Sequence, residues 1–380
     1  MEIEFLPVII PALIAAAGYA SVIAWFYRGW NKSRSCAAPA LPAGIPVTVI
    51  IPARNEAHCI LNCLEGMLHQ DYDGALMEVI VADDHSDDTT ARLVNSFAEQ
   101  HPELSLTLLA VTTGSGKKAA IQQAMKRAAG ALILTTDADC RHPASWITTM
   151  AGCFKQENPV FLSGPVVLSS DGGVLGMFQE TEFMSLAASG AGSIGAGTPV
   201  MCNGANLGFS ALAYRQLQAD AMKNQTASGD DVFLMLAMKE KFGPGRILFV
   251  KTAGAVCEAQ AAPTLRDYLN QRLRWVSKSR IYRDPFLIGT AIIVLAMNLG
   301  IFALAMAGFW ETGLFFISLF LLIVKTLADI PLLVSYIRFT GKKIQRLHIC
   351  WIIPAVVIFT TVVAIAGNLV NVTWKGRKVR

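Results

Sequence analysis

The chain has 380 residues, enough for two or three domains of roughly 150 residues each. It is 53% hydrophobic and only 16% charged, against about 25% charged in an ordinary soluble domain. The apolar excess lies at the two ends, which makes this a membrane protein carrying a soluble domain, and the net charge of +4, with basic residues beside apolar runs, points to a membrane surface and away from nucleic acid.

Residues 1–30 hold the first apolar run. Phe5 to Tyr27 carries no charge and is long enough to cross about 30 Å of hydrocarbon as a helix. Its Met-Glu-Ile-Glu start lacks the basic region of a signal peptide. Arg28, Lys32 and Arg34 follow, so the positive-inside rule sets the next domain in the cytoplasm. Residues 31–46 read as an Ala- and Pro-rich linker. From 47 to 262 strands and helices alternate. Val47–Ile51 predicts a strand, His58–Leu68 a helix, Glu78–Ala82 a strand, Thr89–Gln100 a helix, Leu104–Val111 a strand and Lys117–Ala129 a helix. Ala131 to Thr135 is the next strand, and Val160 to Leu168 another. Such order implies an α/β fold with a mostly parallel sheet. From Gly172 to Asn206 the glycine-rich sequence reads as irregular.

Residues 263–285 are amphipathic and basic, with Arg266, Arg272, Arg274, Lys278, Arg280 and Arg283 among Leu and aromatic residues, as in an interfacial helix. Three apolar segments follow within 286–374: Phe286–Trp310, Gly313–Ile337 and Ile349–Val370. The loop from Arg338 to His348 is basic and should be cytoplasmic. A full crossing by the last segment would leave the basic tail, 375–380, outside, against that rule. Pro354 and Gly367 offer a way to turn back, but a full crossing is the preferred reading. Lys325 and Asp329 are spaced to pair along one helix inside the membrane. The eight cysteines are scattered and fit reduced thiols of the cytosol; Cys59 and Cys63 share a helix face and read as packing residues.

Four acidic or basic groups fall where such a sheet binds ligands, just beyond strand ends. Asp83 and Asp84 close the second strand and could accept hydrogen bonds from a base and ribose. Gly116-Lys117 opens a helix, where a lysine and helix N–H groups could meet phosphate; the wider P-loop pattern is absent. Asp137 and Asp139, with one alanine between them, would repel unless a cation lay between, and a divalent ion holding a diphosphate meets that need. Asp230 and Asp231 open a later helix, where capping is the bland role of Asp231.

Taken in order, Pro52-Ala-Arg54-Asn-Glu56, Asp83-Asp84 with Ser86 and Asp88, Gly116-Lys117, Asp137-x-Asp139, Gly204-Ala-Asn206, Asp231 and Gln271-x-x-Arg274-Trp275 resemble the membrane-bound family-2 inverting glycosyltransferases. The resemblance covers about residues 46–285. It implies a GT-A fold, Rossmann-like, plus transmembrane helices, in the inner membrane with the catalytic domain in the cytoplasm. It implies a nucleotide-diphosphate sugar donor, UDP in type, bound by Pro52, Arg54, Glu56, Asp83, Asp84, Lys117, Asp137, Gly204, Asn206, Gln271, Arg274 and Trp275. Mg²⁺ or Mn²⁺ would sit on Asp137 and Asp139. Asp231 would be the base, with Asp230 able to share the role, since Gly229-Asp230-Asp231 departs from the usual Glu-Asp. A lipid-linked or saccharide acceptor is implied. The alternative is a processive polysaccharide synthase of poly-N-acetylglucosamine or hyaluronan type. Val276-Ser-Lys-Ser-Arg280 stands where such synthases usually carry a glycine, which weighs against it.

Overall fold

The computed structural model describes residues 6–33, 35–36, 44–217, 230–277, 279–343, 346–369, 372–374 and 377–379. Gly229, Lys278, Lys375 and Arg380 lie outside them, as do most of the linker and the side chains of Asp230, Arg280, Arg377 and Lys378.

The elements, in chain order, are α1 (Leu6–Lys32), β1 (Val47–Ala53), α2 (Ile60–Leu68), β2 (Met77–Asp83), α3 (Thr90–Gln100), β3 (Leu106–Ala110), α4 (Gly116–Ala124), β4 (Leu132–Thr135), α5 (Trp146–Glu157), β5 (Phe161–Ser163) and β6 (Val166–Ser169). There follow α6 (Gly173–Gly195), β7 (Leu207–Ser210), α7 (Ala211–Gln216), α8 (Asp230–Phe242), β8 (Ile247–Phe249), β9 (Cys257–Gln260), α9 (Leu265–Val276), α10 (Pro285–Ala307), α11 (Thr312–Thr340), α12 (Arg346–Leu369), β10 (Val372–Trp374) and β11 (Arg377–Val379). They form two compact units, each discontinuous in sequence. One spans Ser33–Ser170 and Pro199–Ala261; the other spans Met1–Lys32, Asp171–Thr198 and Ala262–Arg380.

The first unit is built on a seven-stranded sheet in the order β3-β2-β1-β4-β7-β5-β8. β1 to β4 run parallel, β5 is parallel to β8, and β7 lies antiparallel between β4 and β5. Val49, Ile50 and Ile51 of β1 and Leu132, Ile133 and Leu134 of β4 are fully buried. Unbroken apolar runs of this kind suit strands covered on both faces. The chain moves outward from β1 to β2 and β3, then returns to β4 on the other side of β1. That reversal opens a crevice at the carboxyl ends of β1 and β4. The run from Val160 to Leu168, expected as one strand, is two. Gly164-Pro165 divides it, because proline has no N–H for a ladder. β6 then leaves the large sheet to pair with β9. A Cβ on Gly164 would lie 2.2 Å from the Asn206 side chain, so only glycine fits there. The expectation of reduced thiols fails for Cys36 and Cys153, which form a disulfide with Cα atoms 5.5 Å apart. Partners separated by 117 residues leave no spacing signal.

In the second unit α1, α10 and α11 hold stretches long and apolar enough to cross a membrane (Pro7–Lys32, Pro285–Ala307 and Thr312–Thr340). The apolar run of α12, Trp351–Gly367, is shorter. Phe309 and Trp310, at the α10–α11 turn, are 78% and 86% exposed, as aromatics at a membrane interface are. The stretch expected to be irregular after Gly172 is mostly the 23-residue helix α6. Its small residues are a packing face: a Cβ on Gly29 would lie 2.1 Å from the Gly192 carbonyl, and one on Gly192 2.5 Å from that of Phe26. α1 and α6 therefore meet backbone to backbone, which small residues permit. The Lys325–Asp329 pair forms at 2.8 Å. Tyr19 of α1 joins it, donating its O–H to Asp329 Oδ1 at 2.6 Å, with the Lys325 ammonium 4.3 Å from the Tyr19 ring centroid.

Candidate active site

The carboxyl ends of β1 to β4, the segment before β7 and the start of α8 supply the candidate residues of the sheet unit. Lys117, in the first turn of α4, places its ammonium on Asp137 Oδ1 and donates to the Gly204 carbonyl at 3.1 Å. The Gly204 N–H donates to Asp231 Oδ2 at 2.9 Å. Asp137, Lys117, Gly204 and Asp231, separated by up to 114 positions in sequence, thus form one chain of contacts. The fit at Gly204 is close: a Cβ would sit 2.8 Å from Lys117 Nζ and 3.2 Å from Asp231 Oδ2. Lys117 and Asp231 also line one pocket, with Ile121, Thr135, Leu207, Phe209 and Leu234. Thr135 Oγ1, buried there, has no hydrogen-bond partner among the described residues.

Asp139 follows on the same rim. Burial, then the charges of Asp137 and Glu56, push its carboxyl up to about 7. Two carboxylates under such mutual repulsion, both oxygen donors at a strand end, suit a hard divalent cation, and the residues present fit Mg²⁺ or Mn²⁺.

The loop after β1 is stitched to the loop after β2. Asn55, at a left-handed φ of 54°, donates its N–H to Ser86 Oγ at 2.9 Å, and Glu56 N–H donates to Thr90 Oγ1 at 2.9 Å. Arg54 Nη1 donates to the Asp84 carbonyl at 3.1 Å. Asp83 receives the Ser86 hydroxyl, and Asp88 caps the start of α3 by accepting the Thr90 N–H at 2.9 Å. Asp84 accepts the Gly116 N–H at 2.8 Å, which anchors α4 and occupies a helix N–H expected to be available for phosphate. Pro52 lies within β1, opposite Ala82 of β2.

Asn206, expected to touch the donor, is fully buried. Its amide donates to the carbonyls of Pro165 (2.9 Å) and Ala255 (2.7 Å) and accepts from Trp146 Nε1 (2.9 Å). Its polar atoms are so engaged within the protein, where they brace the start of β7.

A profile described as Glycosyl transferase family 2 matches residues 48–214, and one described as Glycosyl transferase family group 2 matches residues 132–365, more than half of the chain. The chain belongs to glycosyl transferase family 2. An N-acetylglucosaminyltransferase of Azorhizobium caulinodans is 27% identical over 264 residues, 65% of this chain and 62% of that protein. Another, from Neorhizobium galegae, is 27% identical over 290 residues, 73% of this chain and 64% of that one. The chain thus spans less than two thirds of the length of these relatives. A mannosyltransferase from Pyrobaculum calidifontis, solved with GDP-Man and Mn²⁺, superposes over 95% of this chain and 99% of its own, with a TM-score of 0.58 at 21% identity. At that identity the likeness establishes the shared GT-A fold.

Gln271, Arg274 and Trp275 lie on α9, in the helical unit. Sequence reasoning missed what holds this helix. Arg272 and Glu182 of α6 are 4% and 3% exposed. Arg272 donates to both Glu182 oxygens and, from Nη1, to Gln271 Oε1 at 3.0 Å. Its guanidinium carbon lies 4.0 Å from the Trp275 ring centroid and 4.7 Å from that of Tyr268. Burial alone would lower the Arg272 pKa; the Glu182 carboxylate outweighs it and raises it. Gln179, Glu180 and Thr181 stand beside Glu182 in sequence, so nothing there marked it as the buried acid that demands a cation.

Proposed function

We propose that this chain is an integral-membrane inverting glycosyltransferase that moves a sugar from a nucleotide-diphosphate sugar to a lipid-linked or membrane-associated acceptor. The observation that carries the reading is the run of contacts Asp137–Lys117–Gly204–Asp231. Displacement at an anomeric carbon needs a base on the acceptor side and charge neutralisation on the leaving side. Asp231 serves as the base. Its Oδ2 is oriented by the Gly204 N–H and its Oδ1 by the Val232 N–H at 2.9 Å. It takes the proton of the acceptor hydroxyl as the new carbon–oxygen bond forms and the bond to the diphosphate breaks, which inverts the centre. Asp137 and Asp139 would hold Mg²⁺ or Mn²⁺, which would supply charge neutralisation to the departing diphosphate. Lys117 compensates Asp137 and keeps it facing the same space. Asp83 and Arg54 take the nucleoside side.

Relatives named N-acetylglucosaminyltransferase favour a UDP-N-acetylhexosamine donor. Helices suited to a membrane, and basic residues after α1 and α11, favour a cytoplasmic sheet unit and an amphiphilic acceptor. The test is a donor screen with the full chain in detergent plus lipid extract, measuring released nucleotide diphosphate with and without Mn²⁺. We expect Mn²⁺-dependent release and a labelled lipid from one UDP-sugar. Long labelled polymer in place of labelled lipid would select a processive synthase, and no release from any donor would reject the enzyme.

A further inference from the structure

Between β1 and α2 the sequence runs Glu56-Ala57-His58-Cys59. The Cys59 thiol lies 3.5 Å from Glu56 Oε2. One ligand atom each from Glu56, His58 and Cys59 falls within 4.8 Å of the others. A carboxylate, an imidazole and a thiol together form a donor set that Mg²⁺ and Mn²⁺ do not seek, and that zinc does. The spacing agrees. With Zn–S of about 2.3 Å and Zn–O of about 2.0 Å, the sulfur–oxygen edge of a tetrahedron is about 3.5 Å. Cys59 precedes the first turn of α2, and its N–H donates to the Glu56 carbonyl at 3.0 Å. The three donors thus come from one short turn, itself tied to Thr90 through the Glu56 N–H. His58 is exposed, and Glu56 and Cys59 are half-buried, so an ion can reach them from solvent.

We propose that Glu56, His58 and Cys59 form a binding site for a borderline-soft divalent cation of the zinc class, with a donor set distinct from that of the Asp137 and Asp139 pair. Three protein ligands leave a fourth position open to water, so the ion exchanges. On binding, Cys59 gives up its thiol proton to solvent, and the thiolate, the imidazole and the carboxylate each donate one electron pair. Both Cys59 and His58 lie outside the residues assigned to sugar transfer.

The experiment titrates the full chain in detergent with Co²⁺, with excess Mg²⁺ present to occupy oxygen-only sites. A thiolate-to-cobalt charge-transfer band in the near ultraviolet should reach saturation at one equivalent and vanish on addition of Zn²⁺. Cys59→Ser should abolish the band. His58→Ala, at an exposed position that leaves the fold alone, should weaken Co²⁺ at least about tenfold. The absence of a band in the unsubstituted chain would overturn the proposal. So would a band that survives Cys59→Ser, which would assign the metal to another thiol, or one with unchanged affinity in His58→Ala.

Discussion

Arg272 and Asp139 are both withdrawn from water, and they are treated in opposite ways. In the helical unit Arg272 faces Glu182 across a pair of hydrogen bonds, and Lys325 shares Asp329 and Tyr19. Each charge there is answered within the protein. In the sheet unit Asp139 is set beside Asp137 and within reach of Glu56, so its surroundings add charge of the same sign. The difference separates a charge met by an opposite charge from a carboxylate set beside others of its own sign, with Lys117 on Asp137 alone. Paired buried charge is a structural device; clustered like charge in a crevice marks a functional site.

The comparison can be broken most forcefully at Asp231. Asp231→Asn keeps the shape and the Gly204 contact but removes the base. Turnover should fall by at least about a hundredfold while donor binding is largely kept, read by nucleotide release alongside calorimetry. Retained turnover would reassign the base. Next comes the helical unit. Glu182→Gln leaves Arg272 charged and buried, and should cost about 3–5 kcal/mol. Replacing both Glu182 and Arg272 with leucine should recover much of that. Thermal unfolding in detergent checks both, and equal losses from the single and double changes would mean that the pair is not the fastener described.

The sheet unit should respond to pH instead. Asp139 ionises near 3.8 when unfolded and at about 7 when folded. Between those values the folded protein holds an extra proton, so metal-free stability should decline as pH rises through that window and level off above it. Stabilisation by Mn²⁺ should grow over the same window, because the ion needs the carboxylate. Unfolding midpoints with and without Mn²⁺ measure this, and Asp139→Asn should flatten the curve. The smallest effect belongs to Tyr19→Phe, which removes a hydroxyl from the Lys325–Asp329 cluster but keeps the ring. About 0.6 kcal/mol is expected for an interhelical hydrogen bond of this kind.

The parallel half of the sheet was legible because β1, β2 and β4 are continuous apolar runs ending in turn signals and acids. The places of the candidate acids were legible for the same reason: a strand end fixes where Asp83, Asp137 and Asp139 emerge. What sequence hid was whatever depends on a distant partner. α6 was read as irregular because Gly192 and its small neighbours look like loop residues until α1 is set against them. The polar Asn206 side chain likewise gives no hint in sequence that Trp146, Pro165 and Ala255 will surround it. Cys36 and Cys153 gave no sign of pairing. Lys325 and Asp329, only four residues apart, were readable, whereas Tyr19, 306 residues from Lys325, was not.

The most direct measurement is the binding of UDP to the full chain by calorimetry, with and without Mn²⁺, in the unsubstituted protein and in Asp139→Ala. Binding that depends on Mn²⁺, and loses that dependence in Asp139→Ala while Asp231→Asn keeps it, is the expected result. UDP affinity indifferent to Mn²⁺, or a metal dependence that Asp139→Ala leaves untouched, would contradict a crevice whose acids are gathered for a cation and a diphosphate.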